Sequence, residues 1–285
     1  LSMRHFGRNG ITMGTISALD FALLDLKGKL MGMPTYELIG GKYRDKIRMY
    51  CDTGSPKTDD SESHVEVVRE ALKMGFDCLK FDLDTGFAGR EARGWEPYNQ
   101  QLRNGELKWM IAVTEAVRNA VGDEVELMVD LHGNYNTTSA IKIAKGLEPY
   151  NLTWLEEPVH AENVEAMREV KRSTSTPICA GENLYSAWGF KELIEKQAVS
   201  VVEPDVNKCG GILECQKVAS LADLQYIPVA PHNTSTPVGT LAACHLCASI
   251  PNFLSLEWHG SKAEADDPRY VEWGNMIRWE GPIMK

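Results

Sequence analysis

From about residue 47 onward, short β-rich runs alternate with longer stretches whose apolar positions recur at helical spacing. The runs at 47–51, 78–83, 125–131, 152–156, 178–181, 199–203, 227–230 and 253–257 predict eight strands. Between them, helices are predicted at 65–74, 107–121, 139–147, 164–170, 188–194, 212–224 and 238–248. This pattern is expected of a parallel sheet with crossover helices, because parallel strands cannot be joined by tight turns. Eight strands and seven helices in strict alternation are most simply closed as a TIM-type (β/α)7β barrel. An open doubly wound sheet is the alternative.

Two segments stand outside the pattern. Residues 15–30 (TISALDFALLDLKGKL) predict an amphipathic helix, followed by Pro34 and a second short helix ending at Gly40-Gly41, and these are read as part of an accessory domain. Residues 84–104 are polar, contain Gly and Arg, and are longer than a usual βα loop. On a barrel such a loop overhangs the active site, which makes Arg90 and Tyr98 candidate substrate contacts.

Composition narrows the picture by exclusion. The chain has 285 residues, 43% hydrophobic and 25% charged, with a net charge of −10 and no basic stripe, so nucleic acid is not an expected partner. There is no apolar run of membrane-spanning length and no apolar core near residues 1–10, so no membrane partner and a cytoplasmic location are expected. The seven cysteines are an odd number and lie mostly in apolar surroundings, so no disulfide framework is expected. Cys244-His245-Leu246-Cys247 lacks a second CxxC and is not read as a zinc site. Because the chain starts at Leu1 and ends without a closing element, it is read as a piece of a longer protein.

Candidate chemistry sits where the strands are predicted to end. Asp130 and His132 (VDLHGN), Glu156 (WLEEP), Glu182 (AGEN), Asp205 (EPDVN), His232 (APHN) and Glu257 (LEWH) follow successive strands, at spacings of 26, 26, 23, 27 and 25 residues. Active sites of barrels are built at that face. Asp130, Glu156 and Glu182 on adjacent strands, with no compensating Lys or Arg foreseen, would repel one another unless a cation sat among them; oxygen-only ligation selects a hard ion, Mg2+. Asp205 and His232 suit a base in which the aspartate keeps one imidazole nitrogen protonated. His132 shares its side of the strand with Asp130. Glu157 is expected to face away, and His5, His64, His160 and His245 to be surface or packing residues.

The motifs VDLHGN, WLEEP, AGEN, EPDVNKCGGILE and APHNTSTPVGT, with ISALDFALLDLKGK near the start, resemble the mandelate racemase subgroup of the enolase superfamily. They are most similar to its galactonate- and gluconate-type sugar-acid dehydratases. The resemblance implies Mg2+ on Asp130, Glu156 and Glu182, an Asp205–His232 general base, Glu257 on the substrate carboxylate and His132 as the acid that protonates the leaving hydroxyl. It also implies a partial α+β capping domain, so the chain is divided into a cap remnant at 1–45, a barrel at 46–260 and a segment at 261–285 returning toward the cap. Racemases of the subgroup carry Lys-x-Lys after strand two, whereas this chain has Lys80-Phe81-Asp82; Lys80 and Asp82 are taken as substrate-binding candidates. The expected activity is dehydration of an aldonate, a small sugar acid, to a 2-keto-3-deoxy acid by a homo-oligomer. An epimerase or racemase using the same base, or a non-catalytic sugar-acid-binding barrel, are the other readings.

Overall fold

A computed structural model describes residues 7–56, 60–84, 100–259, 279–280 and 283–284. The chain divides into two compact units, one of residues 50–180 and 198–200, the other of residues 1–49, 181–197 and 201 onward.

The first unit is a parallel sheet. It takes the end of β1 (Ile47–Asp52), then β2 (Cys78–Asp82), β3 (Glu126–Asp130), β4 (Trp154–Glu156) and β5 (Ile178–Ala180). These strands lie side by side in sequence order, all parallel. The crossovers are α3 (Ser61–Lys73), α4 (Asn104–Val121), α5 (Thr137–Leu147) and α6 (Val164–Arg172), each packed on the next. Three start on side-chain caps: Asp60 accepts from the Ser63 N–H at 2.8 Å, Asn136 from Ser139 at 2.9 Å and Asn163 from Ala166 at 3.1 Å. Such a cap contributes about 1 kcal/mol. Leu79 and Phe81 of β2 are buried on one face while Lys80 and Asp82 alternate to the other, so the same strand carries packing and chemistry. His64 is fully buried, edge-on to Phe81 and Trp109, a packing residue as expected.

The second unit contains α1 (Ile11–Met31), α2 (Thr35–Leu38), α7 (Ser186–Glu195), β6 (Val201–Val202), α8 (Ile212–Asp223), α9 (Pro237–Ser249), β7 (Leu256–Trp258), β8 (Trp279–Glu280) and β9 (Ile283–Met284). The strand expected at 227–230 is reduced to Val229, which bridges Val202 on one side and Phe253 on the other, both in parallel. α8 packs between α7 and α9, with α1 against α8 and α2 against α9.

α1 departs from the expected amphipathic helix. It buries Met13, Ser17, Leu24 and Gly28, yet Leu19, Leu23, Leu26 and Leu30 on other faces are 57, 65, 54 and 79% exposed, so it is apolar nearly all round. Its polar groups reach far along the chain. The Asp20 carboxylate accepts from the N–H of Ile212 at 2.8 Å and of Leu213 at 3.4 Å, capping α8, and Ser17 Oγ accepts from Gly210 N–H at 3.0 Å. Gly211 has φ +94°, and a Cβ there would collide with the Asp20 carboxylate, so only glycine fits the approach. None of the seven cysteines, all of them among the described residues, forms a disulfide, and no helix among the described residues is long and apolar enough to cross a membrane.

Candidate active site

In the first unit the ends of three neighbouring strands carry acids in one row. Asp82 pairs in register with Asp130, and Asp130 with Glu156. All three are buried, and Asp52 closes β1 beside them. The expectation that no basic side chain compensates these acids is corrected here. Lys80, 1% exposed, bonds Glu156 directly and stands 3.5 Å from Asp130 Oδ2 and 3.6 Å from Asp52 Oδ2, with its ammonium over the Tyr50 ring. The second Glu156 oxygen accepts from Trp154 Nε1 at 2.8 Å. Lys80 answers only part of the charge. Burial, reinforced by Asp52 and Asp130, pushes the Asp82 carboxyl up to about 7.

His132 lies just past β3 with φ 45°, a left-handed conformation costly for a side-chain-bearing residue, and its N–H is held by Asp130 Oδ1 at 2.9 Å. Its Nδ1 is 2.9 Å from Asp84 Oδ1, and its Nε2 is 3.4 Å from Asp130 Oδ2. Burial opposes the imidazolium, but the bond to Asp84 and the charge of Asp130 outweigh it and raise His132 to about 10. Asp84 also bonds Asn134. Neither Asp84 nor Asn134 was among the expected residues. The signal was present as the two-residue alternation Lys80-Phe81-Asp82-Leu83-Asp84, which sends three ionisable side chains to one side of β2 and its continuation. Glu157 has φ 33° and is buried beyond β4.

The second unit gathers a separate group. His232, 4% exposed, has Nδ1 2.9 Å from Asp205 Oδ2 and Nε2 2.7 Å from Glu182 Oε2, with Glu257 Oε2 at 3.8 Å. Burial acts against the charged ring, but Glu257, Asp205 and Glu182 together hold His232 well above the usual histidine range. The acids are themselves fixed: Asp205 Oδ1 accepts from Asn207 N–H at 2.6 Å, Glu182 from Asn183 Nδ2 at 2.8 Å, and Glu257 from Asn233 N–H at 2.6 Å. Asn233, unforeseen, is tied back through Nδ2 to the Glu257 carbonyl at 3.1 Å.

Of the expected site residues, Asp130, Glu156, Lys80, Asp82 and His132 thus come together in one unit, and Glu182, Asp205, His232 and Glu257 in the other. Arg90 and Tyr98 lie outside the described residues. The donors suit a hard divalent cation: Asp130 and Glu156 offer carboxylate oxygens in register beside Asp82, and Lys80 alone does not balance these buried acids. Asp82, Asp130 and His132 also bring one ligand atom each within 4.8 Å of one another.

Residues 63–277 match the family described as enolase C-terminal domain-like. The chain is 42% identical over 252 residues to a D-xylonate dehydratase of Haloferax volcanii, covering 88% of this chain and 60% of that protein. It is 35% identical over 242 residues to a D-gluconate dehydratase of Thermoproteus tenax, covering 85% of this chain and 46% of that one. It therefore spans between about half and three-fifths of the length of these curated relatives. Among solved structures, a mandelate racemase/muconate lactonizing enzyme-like protein from Rubrobacter xylanophilus superposes with a TM-score of 0.87 at 42% identity, over 98% of this chain and 72% of that one.

Proposed function

Since the chain belongs to the enolase C-terminal domain-like family, we propose that it is the (β/α)7β barrel part of a Mg2+-dependent aldonate dehydratase. The substrate is a galactonate- or gluconate-like sugar acid and the product its 2-keto-3-deoxy acid. One observation carries this reading: His132, two residues beyond Asp130, has one ring nitrogen on a buried carboxylate and the other beside Asp130. A proton donor so placed is what loss of a hydroxyl needs. The dehydratase names of the 42 and 35% identical relatives support it.

Asp130, Glu156 and Glu182 would hold the ion. When bound, Mg2+ supplies positive charge that favours the substrate in the anionic form it takes after losing a proton. His232, oriented by Asp205 at Nδ1, takes the C2 proton on Nε2. That nitrogen faces Glu182 at 2.7 Å, and with Glu182 holding the ion it would be open to the substrate. Glu257 hydrogen-bonds the substrate carboxylate, fixed for this by the Asn233 N–H. His132 gives its Nε2 proton to the 3-hydroxyl, which departs as water.

Lys80 and Asp82 serve substrate binding at the same strand ends, with Arg90 and Tyr98 as further candidate substrate contacts. A one-to-one racemase is disfavoured because a carboxyl, Asp82, stands where the second lysine would be, and Lys80 is held among three acids. The enzyme is expected to be cytoplasmic and homo-oligomeric. The test is a panel of aldonates assayed for 2-ketoacid with and without EDTA. Mg2+-dependent ketoacid from at least one aldonate supports the proposal; full turnover after EDTA overturns the metal, and epimerised acid without ketoacid overturns the dehydration.

A further inference from the structure

We infer that Asp84 is a positioning residue for His132, fixing the ring so that Nε2 is the atom offered to the leaving hydroxyl; this rests on the dehydration proposed above. Asp84 is 3% exposed and both of its oxygens are spent on one short segment, Oδ1 on His132 Nδ1 at 2.9 Å and Oδ2 on Asn134 Nδ2. Its backbone is pinned, since Leu83 N–H donates to the Asp130 carbonyl at 3.2 Å and carries β2 one residue past its end. The segment it grips is pinned too: Gly133 N–H donates to Glu157 O at 2.7 Å and Asn134 N–H to Leu131 O at 2.9 Å. A buried carboxylate persists only where its charge is answered.

A carboxylate accepts and does not donate, so the ring nitrogen facing Asp84 must carry hydrogen. His132 then exchanges its proton only at Nε2. When the C3–O bond breaks, the Nε2–H bond breaks with it, the proton leaves in water, and the ring remains as the neutral Nδ1–H tautomer. Asn134 decides the sense of the arrangement. Its amide donates to Asp84, so an asparagine at position 84 would turn its own oxygen toward Asn134 and its NH2 toward His132, forcing the proton onto Nε2 in the neutral ring.

The experiment uses 15N-histidine-labelled intact protein and the variants Asp84→Asn and Asp84→Asn/Asn134→Asp. In the wild type, NMR should find hydrogen on His132 Nδ1. The single variant should shift neutral His132 to the Nε2–H tautomer and lower kcat for ketoacid formation about 100-fold or more, with KM and C2–H/D exchange in D2O little changed. In the double variant the amide introduced at position 84 turns back, because the carboxylate introduced at position 134 accepts its NH2, and both the tautomer and most of the rate should be restored. Wild-type kcat in the single variant, equal loss of exchange and dehydration, or a wild-type ring lacking hydrogen on Nδ1 would each overturn the inference. The tautomer measurement needs no substrate and no variant, so it judges Asp84 even if no aldonate is dehydrated or a variant fails to fold.

Discussion

Each unit of the molecule holds a histidine whose Nδ1 lies 2.9 Å from an aspartate, and the two pairs differ in nearly everything else. The His132 side chain is 36% exposed, on a left-handed residue beyond a strand end, and its Nε2 has Asp130 at 3.4 Å. The His232 side chain is 5% exposed and its Nε2 faces Glu182 at 2.7 Å and Glu257 at 3.8 Å. Pairing with a carboxylate sets which nitrogen works; surroundings set what it does. A ring shut away from water suits taking a proton from carbon, where solvent would compete, once Glu182 no longer occupies its Nε2. A ring open to solvent can give a proton and be reprotonated between turnovers.

The largest effect is expected at His232. Replacing it with Asn should lower both ketoacid formation and C2 deuterium exchange by about 10⁴-fold, followed by NMR of C2 beside a ketoacid assay. His132→Asn should lower ketoacid formation about 10²- to 10³-fold while deuterium still enters at C2. If both variants lose both reactions equally, the two histidines are not separable and the division of labour is wrong. The acids can be separated in the same way. Lys80→Met should destabilise the metal-free protein by about 3 kcal/mol in urea unfolding, because it strands Asp52, Asp130 and Glu156 without their buried counter-charge. Saturating Mg2+ should recover part of that loss, and no recovery would mean that the ion and Lys80 do not answer the same charges. The smallest effect is expected away from both histidines: Asp20→Ala should cost about 1 kcal/mol of stability in the same assay and leave kcat unchanged.

The sequence made the strand ends readable because chemistry there follows the repeat of the fold. Asp130, Glu156 and Asp82 end strands within a residue of where apolar runs stop, and the register of Asp130 with Glu156 was implied by their spacing. The Asp205–His232 partnership could be read from the same periodicity. What could not be read depends on side-chain reach. Lys80 lies two residues before the strand end, and only a long flexible side chain on the same face brings its ammonium up among the acids. Asp84 was absorbed into a polar loop, since composition does not reveal that its backbone is still tied to β3 through Leu83. Val229 reads as the middle of a strand but makes only single bridges, because a run of apolar residues states burial and not ladder length. The surface leucines of α1 defeated the amphipathic expectation for the same reason: hydrophobicity says what could be buried, not which side is.

The carboxylate of Asp20 closes a loop of 192 residues onto the first turn of α8. Contacts of such sequence separation are slow to form, because the chain must give up its freedom before the bond rewards it. During synthesis α1 emerges long before α8 and must keep Asp20 available until the later helix arrives. The start of α8 is then the last of its turns to be secured and the first to fray when α1 detaches. Hydrogen exchange at Ile212 and Leu213 should therefore report the docking of the N-terminal helix, and cutting the chain after Met31 would be felt at the far end of the sequence.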